Sequence, residues 1–119
     1  MATTVSFGLF DWVDRAPGSL GELYESRLKL IELADQAGFY GYHVAEHHGT
    51  PLGMAPSPSV FLSAVAQRTT RIRFSPMAYL LPMYHPIRLS KRTYLLSSLG
   101  NNFHRHQVLL GRRCKTKSN

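Results

Sequence analysis

The order of hydrophobic periods along the chain limits its fold more than any other feature. Val5-Ser-Phe-Gly-Leu-Phe10 is apolar and β-prone, and Asp11-Trp12-Val13-Asp14 with Ala16-Pro17-Gly18 ends it as a loop. Ser19-Leu-Gly-Glu22 is a capping box: the serine hydroxyl accepts from the backbone three residues on, and the glutamate reaches back. Leu20, Leu23, Tyr24, Leu28, Ile31 and Ala34 follow at helical spacings, and Gly38 stands where a left-handed terminator belongs. Phe39 to Ala45 reads as a second strand, followed by a Gly- and Pro-rich loop from His47 to Pro56. Ser57-Pro58 opens a second helix whose buried face is expected to be Val60, Phe61, Ala64 and Val65. A third strand is expected from Ile72 to Tyr79, and a third helix from His85-Pro86 to Leu99.

Strand and helix therefore alternate three times. Such alternation requires right-handed βαβ units around a parallel sheet. Near-continuous apolar strands suit a sheet covered on both faces or closed on itself. A TIM-like (βα)8 barrel takes about 250 residues, whereas this chain has 119. The expected architecture is α/β, with room for three βα units and part of a fourth, so the piece looks incomplete.

Composition narrows the class further. No apolar run approaches the ~18–20 residues of a membrane span, and the N-terminus lacks the basic start of a secretory signal. The single Cys114 builds neither a disulfide framework nor a C-x-x-C metal pair, so a reducing, cytoplasmic setting is expected. The net charge of +7 is unevenly spread. Residues 1–60 hold all seven acids and three bases, while residues 61–119 hold eleven bases and no acid.

The densest polar cluster is His43-Val-Ala-Glu46-His47-His48. It contains H-x-x-E-H, the inverted zinc-peptidase pattern, but that chemistry needs both histidines on one helical face. On a strand His43 and His47 would lie about 13 Å apart, too far to share an ion, so no metal is expected. The alternative places Glu46, His47 and His48 at the C-terminal end of the second strand, where αβ folds assemble their sites. The same histidines would also suit a role confined to ordering the loop. His85-Pro86-Ile87-Arg88 occupies the equivalent place after the third strand. There the free N–H groups of a helix start can meet an anion, or these residues serve as cap and surface charge.

In this order the segments resemble the luciferase-like flavin-dependent monooxygenases, relatives of bacterial luciferase. The resemblance is carried by Phe7-Gly8-Leu9-Phe10, Ala34-Asp-Gln-Ala-Gly-Phe39, Ala45-Glu46-His47-His48, and Leu81-Pro82 with His85-Pro86-Ile87-Arg88, over residues 5–89. It implies a TIM-like barrel with reduced flavin mononucleotide (FMN) across its C-terminal mouth, acting with O2 on a small organic substrate. It also implies that His47 is the catalytic histidine assisting proton transfer during the flavin's reaction with oxygen. A histidine exchanges protons near neutral pH, which makes the assignment chemically sensible. By the same resemblance Glu46, His48 and His85 border the cofactor, and Met77 and Ala78 approach the isoalloxazine ring, in some members through a non-prolyl cis peptide. A coenzyme F420-dependent oxidoreductase of the same architecture is the alternative cofactor reading.

The pattern breaks after Arg88. Lys91-Arg92 replaces an acidic pair, the Leu-Asp-x-Leu-Ser-x-Gly-Arg run is lost, and Gly111-Arg112 echoes a later turn only faintly. Residues 1–89 are thus expected to form the N-terminal part of the barrel, and 90–119 a divergent or frameshifted basic tail. The missing acids favour an aberrant tail, from a shifted reading frame, a mis-spliced exon or a decayed gene. The competing reading is a basic extension binding a polyanion through Lys91, Arg92, Arg105, Arg112, Arg113, Lys115 and Lys117. Nucleic acid is disfavoured as a partner by the slight aromatic interleaving, and membrane by the absence of a span. Three or four parallel strands cannot close a barrel, so a partner (an oligomer or a completing subunit) or a missing segment would be needed to complete it. The isolated chain should accordingly be poorly stable or self-associating. A single sharp transition of a monomeric species in chemical denaturation contradicts this.

Overall fold

The computed structural model describes residues 5–99. Three parallel strands, β1 (Gly8–Asp11), β2 (Gly41–Val44) and β3 (Arg73–Pro76), alternate with helices α1 (Leu20–Gln36), α2 (Pro58–Arg68) and α3 (Pro86–Leu99). A 3-10 turn, Leu81–Met83, precedes α3. The sheet order is β1-β2-β3, in sequence. This is the partial α/β barrel expected, with three βα units. The faint fourth unit around Gly111-Arg112, Cys114 and the basic residues from Arg105 onward lie outside the described residues. Helix α3 runs without a break through residue 90, where the tail was expected to begin.

Register and pleat separate the two faces of the sheet. Leu9, Tyr42 and Phe74 pair across one row, and Phe10, His43 and Ser75 across the next. Alternate residues point to opposite faces. The first row packs into the core with Leu23, Leu28, Ile31 and Ala34 of α1 and with Phe61, Leu62, Val65 and Ala66 of α2. From α3, Leu96 completes that core at 1% exposure. The second row belongs to the face that a closed barrel would enclose.

The capping box forms as expected: Ser19 Oγ accepts from Glu22 N at 3.2 Å, and Glu22 Oε2 accepts from Ser19 N at 2.8 Å. Gly38 follows the helix at φ +80°, a conformation glycine adopts without steric cost. Two expected core positions are exposed instead, Leu20 and Val60. Leu20 lies in the first turn, ahead of the part of α1 that crosses the sheet. Helix α2 is flanked by α3 as well as α1, which rotates its buried stripe to Pro58, Ser59, Phe61, Leu62, Val65 and Ala66. The strands are shorter than the apolar runs suggest. Each run outlasts its partner: Met77 N still reaches Val44 O at 2.8 Å, and beyond it β3 has no ladder partner.

At the base of the sheet Asp35 fastens the α2–β3 connection to the end of α1. It is buried at 6% exposure. Its carboxylate accepts from Thr70 N (2.9 Å), Arg71 N (2.9 Å), Ile72 N (2.6 Å) and Thr70 Oγ1 (3.2 Å). Burial, the largest single influence, would raise its pKa, yet the donors from Thr70, Ile72 and Arg71 together hold it below the usual value. Removing the carboxylate in Asp35→Ala orphans three backbone donors and should cost about 3 kcal/mol. Because the folded pKa is depressed, this contribution is present above about pH 4 and is lost as pH falls through the lower folded value. Urea denaturation of wild type and Asp35→Asn at pH 7 and below pH 4 checks both: the gap between them narrows in acid.

Candidate functional site

Because all three strands run the same way, the loops after β1, β2 and β3 leave from one edge of the sheet. The first is shaped by Asp11, whose Oδ1 accepts from Val13 N at 2.8 Å and whose Oδ2 accepts from Tyr42 OH at 3.0 Å. Arg27 Nε lies 3.8 Å from the same Oδ2. Burial above all, then the charge and hydrogen bond of Asp11, push the Tyr42 phenol far above its ordinary pKa, so it stays a donor. Val13 is fully buried and holds a positive φ of 50°, uncommon for a β-branched residue. Its carbonyl accepts from Met54 N at 2.8 Å, tying the first loop to the second.

That tie brings Trp12 over His47. The two rings stack with centroids 4.8 Å apart and planes 26° from parallel. Phe10 meets the other side of the arrangement, its ring edge-on to Trp12 at 5.4 Å. Gly53, at φ +69°, lies directly against His47, and a Cβ there would come within 2.7 Å of the histidine Cβ. Tyr24 OH donates to Met54 O at 2.6 Å and holds this stretch of the second loop down.

Glu46 and His48 lie just beyond β2 but face different surroundings. The Glu46 side chain is 1% exposed and that of His48 33%. Glu46 Oε1 accepts from Tyr84 OH at 2.7 Å and pairs with His48 Nε2 at 2.8 Å. Its Oε2 accepts from Leu80 N at 3.1 Å. The carboxylate thus closes the loop after β3 onto the end of β2. Tyr79 and Tyr84 meet edge-on at 5.4 Å, and the Tyr79 and Ser59 hydroxyls are 2.8 Å apart. Burial first, and then Glu46, raise the pKa of Tyr84 well above that of a free phenol.

The remaining sequence candidates are more scattered. Met77 is exposed and Ala78 half-buried as the chain leaves β3. No cis peptide bond occurs there or elsewhere among the described residues. His85 is exposed immediately before α3, its carbonyl accepting from Leu89 N at 3.0 Å. His43 sits on β2 with Nδ1 2.8 Å from Ser75 Oγ, so the H-x-x-E-H run has no helix to pair its histidines. Trp12, Gly53 and Tyr84 were not singled out in the sequence. The signal for Trp12 was topological: residues directly after one parallel strand share an edge with those after the next.

Phe10, Trp12 and Met77 expose 47%, 41% and 39% of their surface at this edge. Their exposed apolar surface is of the kind against which the ring system of a flavin can rest.

Residues 5–101 match the family model of luciferase-like monooxygenases. The uncharacterized protein y4wF of Sinorhizobium fredii is 40% identical over 112 residues, 94% of this chain and 32% of that protein. Limonene 1,2-monooxygenase of Rhodococcus erythropolis is 35% identical over 98 residues, 81% of this chain and 25% of the enzyme. Among solved structures, the FMN complex of the oxygenating constituent of 3,6-diketocamphane monooxygenase from Pseudomonas putida, a type II Baeyer-Villiger monooxygenase, matches with a TM-score of 0.78 at 27% identity. It covers 85% of this chain and 28% of that one. The monooxygenase RslO1 from Streptomyces bottropensis matches with a TM-score of 0.78 at 32% identity, covering 83% and 31%. The chain spans about a third or less of the length of these relatives.

Gly53→Ala tests the packing at this edge. A side chain at positive φ and a contact of 2.7 Å should together cost about 1–2 kcal/mol and push His47 off Trp12. Since Trp12 is the only tryptophan, its emission should shift in Gly53→Ala and stay unchanged in Gly49→Ala.

Proposed function

The chain belongs to the luciferase-like monooxygenase family, and on that premise we propose that it supplies the first wall of a flavin-dependent monooxygenase site. The substrate class is a small organic molecule, in keeping with limonene, diketocamphane and trigonelline in the names of its relatives. Reduced FMN, when bound, supplies the two electrons that let one atom of O2 enter the substrate while the other leaves as water. The rest is the task of this chain's own side chains. Phe10, Trp12 and Met77 offer the ring an apolar bed, with Ala78 beside them. Exposed Arg88, in the first turn of α3, offers positive charge to its phosphate, and exposed His85, just before the helix, offers a ring nitrogen. His47 is the proton carrier, held in place by Trp12 on one side and by Gly53 on the other.

The observation that carries this reading is the meeting of Trp12 and His47 at the C-terminal edge, 4.8 Å apart, within a chain whose match to the family runs through 5–101. In (βα) barrels that edge is where catalytic side chains gather. The activity belongs to a complete barrel, with other βα units forming the rest of the mouth. Reduced flavin would come from elsewhere, in keeping with the trigonelline relative's being an oxygenase component.

A titration of the 119-residue chain with FMN, followed through Trp12 emission and by calorimetry, tests the reading. The expected result is saturable quenching with a Kd weaker than about 10 μM, that is, less favourable than about −7 kcal/mol, abolished in Trp12→Phe for the optical signal and weakened in His47→Ala by calorimetry. Absence of any saturable response overturns it. A clear preference for coenzyme F420 favours the deazaflavin alternative, and salt-sensitive retention on a polyanion without flavin binding favours the basic-binder alternative.

A further inference from the structure

We infer that Glu46 and Tyr84 are positioning residues that lock His48 in one protonation form, with the ring proton on Nε2 and Nδ1 left as the acceptor. His48 then stands beside His47 as a second imidazole able to handle protons at the mouth. This deepens the monooxygenase reading and rests on it for its purpose, though not for its geometry.

The argument follows the donors. An ionised carboxylate only accepts. Glu46 is buried, and Leu80 N on Oε2 and Tyr84 OH on Oε1 both donate to it. The 2.8 Å approach of His48 Nε2 to Oε1 therefore requires hydrogen on that nitrogen. In a neutral imidazole the other nitrogen then carries the lone pair, so the partner of one nitrogen dictates the chemistry of the other. Tyr84 secures the acceptor. Its phenol stays protonated because burial and the adjacent carboxylate oppose ionisation, and its ring is held by Tyr79 at 5.4 Å and by the Arg92 guanidinium at 5.8 Å. His47 provides the contrast. Its ring is fixed by stacking on Trp12, and no hydrogen bond among the described residues commits either of its nitrogens.

The two imidazoles are thus prepared differently. Stacking fixes where the His47 ring lies, and no hydrogen bond among the described residues engages its nitrogens. The buried carboxylate fixes which His48 nitrogen bears the proton and leaves the ring one-third exposed.

Nitrogen-15 NMR of the histidine-labelled 119-residue chain tests this above the imidazole titration range, with His48→Gln assigning the resonances. His48 should show a protonated Nε2 and an unprotonated Nδ1, while His47 shows the averaged shifts of an uncommitted ring. Glu46→Gln presents an amide that can donate as well as accept, and should collapse the His48 pattern to averaged shifts. Tyr84→Phe keeps the carboxylate but removes its second donor, and should add a population with the proton on Nδ1. Averaged or reversed shifts at His48 in the wild-type chain overturn the inference, as does an unchanged pattern in Glu46→Gln. If Glu46→Gln does not fold, an unchanged pattern in Tyr84→Phe overturns it. These shifts are read without flavin, so a failed FMN titration leaves them standing, and their failure leaves FMN binding untouched.

Discussion

The parallel pairing of β1, β2 and β3 is the constraint on which the molecule depends. Parallel neighbours cannot be joined by a tight turn, so each pair needs a crossover helix, and the fixed hand of that crossover puts α1 and α2 on the same face. The opposite face and the C-terminal edge are thereby left for chemistry. Three contacts at the mouth join side chains more than 30 residues apart in sequence: Trp12 with His47, Tyr42 with Asp11, Tyr84 with Glu46. They meet because three strand ends are held in one register.

The uneven charge of the chain acquires a partly internal explanation. Carboxylates of the first half receive donors from the second. Asp35 takes the backbone of Thr70 to Ile72, Glu46 takes Leu80 and Tyr84, and Glu25 takes Arg68 in a two-pronged pair at 3.0 and 2.8 Å. Arg71 caps the end of α1 through the Asp35 carbonyl, and Arg73 lies over the Tyr40 ring. Several bases that suggest a polyanion surface when counted along the sequence are thus engaged within the fold. Two of the buried acceptors sit at opposite ends of the sheet, Asp35 at its base and Glu46 at its mouth. The same device therefore stabilises the fold at one end and shapes the candidate site at the other.

What could be read from the sequence was local, or followed directly from topology. The capping box at Ser19 and the terminator at Gly38 involve neighbours a few residues apart, and both are present. The order of elements, and with it the edge on which His47 falls, followed from alternation alone. Choices made across the fold were hidden. Val60 and Leu62 are equally apolar, and only the placement of α3 beside α2 decides which is buried. Strand ends are set by the length of the partner, which no single run reveals. Glu46 and His47 are adjacent in sequence, yet one turns inward to Tyr84 and the other lies under Trp12. That divergence depends on residues at positions 12, 53 and 84, and no spacing rule links them.

Val13 shows what this edge demands of the chain. A glycine would adopt its backbone shape freely, but a glycine has no side chain to contribute to the core, of which Val13 is a fully buried member. By keeping valine, the chain accepts a locally uncomfortable bend in exchange for a solid floor under the indole. A fully buried bend of this kind anchors the first loop to the core.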